Sequence, residues 1–372
     1  IQEIENKLGI PTMGRAERFP EIFEYLMKLS IERPITLFID EFQEFFKVNK
    51  SVYSDMQRIW DMYHTKAHIN LIVCGSIFSM MTKIFKDKKE PLYNRQTRFM
   101  SIKPFTPAVL KEIMAEYNPN YTSEDLLALY SFTGGVAKYV QLLVDAGATT
   151  KTKMLNHIIK ADSVFLGEGK AILIEEFGKD YGVYFSILSA IARGKTLRSE
   201  IEQIVGREIG GYLTKLEKEY EVITKNQPIF EKSSTKNVRY TIEDNFFTFW
   251  FRFIYKYNYM LEIENYDAVK TIINRDYETF SGKMLERYFK RVLMESKAYT
   301  RIGSWWDRKG ENEIDIVAEN ELNDEATFIE VKRKEDNFDA IALKEKVDVF
   351  TRATGKFNDY AVSQKGLSMT DM

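Results

Sequence analysis

The chain has 372 residues, 44% of them hydrophobic and 29% charged, with a formal net charge of −2 at pH 7. That length exceeds one ordinary core and implies roughly two to four domains, and the balance excludes a disordered or fibrous chain. The near-neutral charge excludes global attraction to nucleic acid, so any contact with DNA must come from local basic patches.

The single cysteine, Cys74, cannot form an internal disulfide and fits a reducing, cytoplasmic setting. No secretory signal is visible. The most apolar stretch, Phe246 to Tyr255, is interrupted by Arg252 and falls well short of the roughly 20 apolar residues that span a bilayer, so no membrane partner is expected. The first residue is Ile1 rather than methionine, which leads us to expect that the native start lies upstream.

In chain order, residues 1 to about 33 read as helix, with Ile22, Phe23, Leu26 and Leu29 at helical spacing. Pro34 ends it. Ile35 to Ile39 is a short apolar run of the kind found in a fully covered parallel strand. An amphipathic helix through Met56, Ile59, Trp60 and Tyr63 precedes a second apolar strand, Ile69 to Cys74, which ends at Gly75-Ser76. A helix, a polar loop and a third strand, Phe99 to Ile102, lead to Pro104. Strands alternating with helices imply an α/β sheet with crossovers.

Residues 107 to 165 read as helical, broken at Gly134-Gly135. An apolar helix (Val183 to Ala192), a turn at Gly194, two helices (Thr196 to Val205 and Gly210 to Tyr220) and a hairpin (Val222 to Thr224 with Val238 to Ile242) give the winged-helix pattern, with Thr196 as an N-cap. After the aromatic Asn245 to Phe253 helix, the chain from about 278 reads helix, strand, strand, helix, strand.

Asp40-Glu41, at the end of the first apolar run, has the form of a Walker B pair. There an aspartate serves the Mg²⁺ of a bound nucleotide and the next glutamate orients the attacking water. The same pair could equally cap the next helix. Taken with Gly75-Ser76, Leu92-Tyr93-Asn94-Arg95 and Gly134-Gly135-Val136-Ala137-Lys138-Tyr139, it resembles the archaeal-type ATPase family of the AAA+ and STAND class. The chain departs from that family's Gly-Gly-x-Pro-x-Tyr lid motif by carrying Ala137 in place of proline.

The resemblance implies ATP and Mg²⁺ as cofactors, Glu41 as a catalytic residue, Ser76 as a γ-phosphate sensor, Arg95 or Arg98 as an arginine finger, and Lys138 as a lid residue near the nucleotide. No G-x-x-x-x-G-K-[ST] loop occurs in the sequence; Gly194-Lys195-Thr196 lacks the first glycine and follows a helix. The phosphate loop is therefore expected upstream, and this chain alone is expected to bind ATP weakly.

Near the C-terminus, Glu313-Ile314-Asp315 and Phe328-Ile329-Glu330-Val331-Lys332 read as two strands of a hairpin. Glu330 and Lys332 would share a face, giving the D-x(n)-E-x-K signature of PD-(D/E)XK nucleases. Asp315 and Glu330 would hold Mg²⁺ or Mn²⁺, Glu286 would add an acidic ligand, and Lys332 would activate water. The bland alternative is a polar hairpin. The Gly303-Ser304-Trp305-Trp306 region also resembles the domain of unknown function that is fused to archaeal-type ATPases.

The expected architecture is a P-loop NTPase-type α/β core over residues 1–106 and a helical lid over 107–165. A winged helix with the aromatic helix covers 166–262, and a restriction-endonuclease-like α/β domain covers 263–372. The expected function couples nucleotide state to a DNA-directed nuclease module; the alternative is a non-cleaving switch with a scaffold C-terminal domain. DNA, a protein partner and a second copy of the chain are the expected partners. His64 and His68, four apart on a helix, lack a third ligand and read as a solvated face.

Overall fold

The computed structural model describes residues 6, 7, 9, 18–232 and 234–372. The chain divides into two compact units, Ile1–Ser101 and Ile102–Met372. The helix expected from residue 1 is described from Phe19, and the expectation for residues 1–5, 8 and 10–17 lies outside the described residues.

In the first unit, α1 (Phe19–Leu29) starts with a proline in its first turn, where the missing N–H costs nothing. Strand β1 (Ile35–Ile39) pairs in parallel with β2 (Ile69–Val73), in register from Ile35 opposite Ile69 to Ile39 opposite Val73. The crossover runs through two short helical turns, Phe42–Glu44 and Phe45–Val48, and α2 (Ser51–Tyr63); α3 (Phe78–Lys86) follows β2. Leu37, Ile39, Leu71 and Val73 pack on Phe23, Met27, Met56, Ile59 and Phe85.

Two expectations need correction here. The strands are covered on one face only, because alternation sends Phe38 and Ile72 to the other, where they stand 58% and 42% exposed. The third strand, Phe99 to Ile102, is absent: Met100 is 62% and Ile102 86% exposed, and this apolar run finds no partner strand among the described residues.

The second unit opens with α4 (Pro107–Tyr117), α5 (Ser123–Thr133), α6 (Ala137–Asp145), α7 (Lys151–Ile158) and α8 (Val164–Phe177). Thr106, Thr122 and Thr150 cap α4, α5 and α7 through their hydroxyls, and Asp125 completes a capping box on α5. Gly134 and Gly135 turn the chain between α5 and α6 with φ of 62° and 78°. A Cβ on Gly135 would lie 2.5 Å from the Phe105 carbonyl oxygen, so only glycine fits.

Next come α9 (Tyr181–Ala192), α10 (Arg198–Val205), α11 (Gly210–Lys218) and the antiparallel hairpin β3 (Ile223–Asn226) with β4 (Arg239–Ile242). Thr196 is not the cap of α10. Leu197 holds that position, and Glu200 accepts its N–H while the Thr196 carbonyl accepts from Tyr240. Asp244 caps α12 (Asn245–Phe249), which continues as a π-helical segment, Trp250–Tyr255. A short helix, α13 (Asn258–Glu262), leads to the long α14 (Tyr266–Ser296).

The C-terminal sheet has strand order β5 (Arg301–Trp306), β6 (Glu313–Asn320), β7 (Glu325–Val331), β8 (Ala361–Leu367). The first three strands are antiparallel, and β8 runs parallel to β7 after the crossover helix α15 (Ala340–Thr354). Strand β5 is one strand more than the sequence pattern indicated. One sheet face carries Ile316, Ile329, Val331 and Leu367 into a core shared with α4–α9, α12 and α14. The other carries Ile314, Val317 and Phe328 onto Leu343, Val347 and Phe350 of α15. No helix among the described residues is long and apolar enough to cross a membrane.

Candidate functional sites

The parallel pair β1–β2 ends in a cluster of polar groups. The Cys74 amide donates to Ile39 and the Phe42 amide to the Cys74 carbonyl, so both chains leave the sheet together. Asp40 accepts from the Cys74 thiol at 2.7 Å and from the Glu41 amide at 2.9 Å. The thiol and that amide hold the Asp40 carboxyl below the ordinary range, and the bond to Asp40, with burial, holds the Cys74 thiol above its own.

Ser76 Oγ donates to Glu41 Oε2 at 2.9 Å, and the Gln43 amide nitrogen donates to the same oxygen. Gln43 is 1% exposed, and a Cβ on Gly75 would overlap its amide oxygen at 2.1 Å. Glycine at 75 therefore admits the glutamine that steadies Glu41. Glu41 itself has φ of 47°, a left-handed backbone that glycine would adopt at lower cost. The sequence keeps a carboxylate there at a conformational cost of about 1–2 kcal/mol. Gln43 was not foreseen; a glutamine two positions after the acidic pair was its only trace.

Neither Asp40 nor Glu41 has a lysine or arginine within ion-pair distance among the described residues. These hard, exposed oxygen donors suit Mg²⁺. Arg95 is committed: it forks onto Asp61 at 2.9 and 2.8 Å and donates to the Pro91 and Tyr93 carbonyls. Arg98 is exposed. Lys138, in the second unit, pairs with Glu168 at 2.6 Å.

The C-terminal set is held differently. Opposite Ser304, strand β6 carries both Asp315 and Ile316, a β-bulge between the pairs Gly303–Val317 and Trp305–Ile314. The β6–β7 ladder stops at Ile316–Ile329, and beyond it the Asp315 carboxylate accepts the Val331 amide at 2.8 Å. Glu330 is 7% exposed and accepts from Lys332 at 2.8 Å and from Lys346 of α15 at 3.0 and 3.1 Å. Glu286 of α14 pairs with Lys283 at 2.9 Å.

Burial pushes Glu286 up to about 7 against the pull of Lys283, with Asp315 adding to the rise. Burial likewise raises Asp315 against the Val331 amide, with Glu330 adding. For Lys332, burial alone would lower the ammonium, but Glu330, Asp315 and Glu286 together hold it above the ordinary lysine value.

Among the described residues no three His, Cys, Asp or Glu side chains are grouped to hold a metal ion. The expected Glu286, Asp315 and Glu330 metal set is not seen as such a group. The three carboxylates and Lys332 do sense one another's charge, but a lysine or an amide occupies each carboxylate. Lys283 and Lys346 were not read from the sequence, because they come from helices far along the chain from the strand motif.

The parallel strands, the acidic pair at their ends and the separate C-terminal sheet define a protein with an ATPase-type domain joined to a second, distinct domain. Residues 3–143 match the family described as "ATPase domain predominantly from Archaea", and residues 250–351 match "Archaea bacterial proteins of unknown function". An uncharacterized protein of Methanocaldococcus jannaschii is 33% identical over 340 residues, covering 87% of this chain and 72% of that protein. The chain belongs to this family of archaeal ATPase-domain proteins with a C-terminal domain of unknown function.

A second uncharacterized protein of that organism is 34% identical over 56 residues, 15% of this chain and 54% of its own length. Among solved structures, a Walker-type ATPase of Pyrococcus abyssi aligns with a TM-score of 0.49 at 19% identity, over 68% of this chain and 75% of that one.

Proposed function

We propose that this chain belongs to a nucleotide-hydrolysing switch that contacts DNA without cutting it. The observation that carries the first half is the Asp40–Glu41–Ser76 set at the ends of two parallel strands, with both carboxylates free of cationic partners among the described residues. In this reading Asp40 holds Mg²⁺, Glu41 orients water, and Ser76, already hydrogen-bonded to Glu41, senses the γ-phosphate. Mg²⁺ would neutralise charge on the phosphates when nucleotide is bound. Arg95 is spent on Asp61, which leaves Arg98 as the arginine able to reach a phosphate, on its own or a second copy of the chain.

For the second half, Asp315, Glu330 and Lys332 keep the D-x(n)-E-x-K order of the nuclease signature, with Asp315 on β6 and Glu330 on β7. The lysine-paired Glu286 and Glu330 favour a scaffold over a cutting site. Helices α9–α11 with the β3–β4 hairpin have winged-helix order, which favours a DNA partner.

Two assays separate the halves. Phosphate release is measured in protein carrying a phosphate loop ahead of β1, and Glu41→Gln should abolish it. Linear, supercoiled and branched DNA are incubated with Mg²⁺ or Mn²⁺ and this chain. The scaffold reading expects no cutting, and cutting that disappears in Lys332→Ala would overturn it.

A further inference from the structure

Beside the β3–β4 hairpin the second unit has a cleft of about 1080 Å³, walled by the start of α10, the hairpin loop, the β5–β6 turn and the end of α15. Five cations line it, Arg198, Lys232, Lys236, Arg308 and Lys356, against two carboxylates, Glu202 and Glu231. Glu202 is taken by Arg198 at 2.7 Å. Lys232, Lys236 and Arg308 are exposed, with no carboxylate at ion-pair distance among the described residues. In a chain of net charge −2, this is a local excess of three positive charges. Ser199 and Thr235 add hydroxyl donors.

The hairpin loop is pinned to the C-terminal sheet at several points. Ile229 donates its amide to the Ser304 carbonyl at 2.8 Å, and Trp306 Nε1 donates to Asn237 Oδ1 at 2.9 Å. Arg239 pairs with Glu313 at 2.9 Å and lies 4.4 Å over the Trp306 ring. The wall is thus part of the fold. The one aromatic ring in the lining, Phe230, is covered by Arg301 at 5.0 Å and Lys356 at 5.5 Å, so it supports cations rather than offering a face to a base.

We propose that this cleft binds the phosphodiester backbone of DNA. Unpaired lysine and arginine with hydroxyl donors, and no free stacking face, recognise phosphate and sugar rather than base. The assignment rests on the DNA-contacting half of the proposed function and is independent of nucleotide hydrolysis. It differs from groove reading by α11, because its unpaired cations come from the hairpin loop and the β5–β6 turn.

The test is fluorescence anisotropy of this chain with a labelled mixed-sequence oligonucleotide, as duplex and as single strand, over about 50–200 mM salt. The variant Lys232→Ala/Lys236→Ala/Arg308→Ala is compared with a control on other exposed lysines, Lys153→Ala/Lys170→Ala/Lys179→Ala. All three cleft residues are exposed, so the variant should melt with the parent. The expected result is at least a tenfold loss of affinity in the cleft variant, with a log–log salt slope shallower by about 2–3, and no change in the control. The arm that binds more tightly identifies the strand form. Unchanged binding in the cleft variant sinks the cleft and leaves the DNA-contacting reading standing. Absence of DNA binding by the parent sinks both, and equal binding of poly-glutamate would show a general anion surface and also overturn the proposal.

Discussion

Asp40 and Glu41 in the first unit, and Asp315 and Glu330 in the second, are carboxylates that strands deliver to a chosen place. Their partners differ in kind. The first pair is met by a thiol, a hydroxyl, an amide side chain and a backbone amide, all neutral. In the second, Glu330 is met by two ammonium groups and Asp315 by the Val331 amide, where β7 runs past the end of its ladder with β6. A carboxylate held by neutral donors keeps its charge available to an incoming cation. One held by lysines has spent it on the fold. The contrast predicts that the first set matters to activity and little to stability, and Glu330 with its two lysines the reverse.

The sharpest way to break that comparison is Lys332→Ala/Lys346→Ala. It leaves Glu330, with a 9% exposed side chain, without a counter-charge, and should cost about 3–5 kcal/mol in denaturant unfolding. Adding Glu330→Gln should recover most of the loss, and Lys332→Ala alone should cost far less because Lys346 remains. A smaller effect is expected for Asp315→Ala, which orphans the Val331 amide at a cost of about 1–3 kcal/mol.

Glu286 gives a pH signature. Its folded value of about 7 lies above the ordinary 4.5, so the folded protein keeps a proton that the unfolded chain releases. Stability should fall as pH rises between those two values, and Glu286→Gln should flatten that part of the profile. The smallest effect belongs to the first unit. Asp40→Asn should leave the melting midpoint in place and speed alkylation of Cys74 a few-fold at mildly alkaline pH, because the raised thiol returns toward its ordinary value.

The strands beneath the first set were legible in the sequence, and what was not has physical reasons. The two apolar runs around residues 35–39 and 69–73 became parallel strands, and the Asp-Glu and Gly-Ser pairs stand at their ends. Phe99 to Ile102 has the same apolar look but no strand beside it, and composition cannot report a missing neighbour. Strand β5 escaped notice because Gly303 and Ser304 interrupt its pattern and it lies at the sheet edge, with β6 as its one partner strand in that sheet. The D-x(n)-E-x-K spacing falls on two adjacent strands, with Asp315 on β6, Glu330 on β7 and Lys332 just past its end. It carried no information about Lys346 or Lys283, whose helices reach the strands only through the fold.

The most direct test of the account is ATP turnover by phosphate release, in protein carrying a phosphate loop ahead of β1, with the parent compared against Glu41→Gln and Ser76→Ala. The account predicts Mg²⁺-dependent turnover in the parent. Glu41→Gln should show none while still binding nucleotide, and Ser76→Ala should be strongly slowed. Turnover that survives Glu41→Gln unchanged would mean that the acidic pair only caps the helix after β1, and would contradict the account.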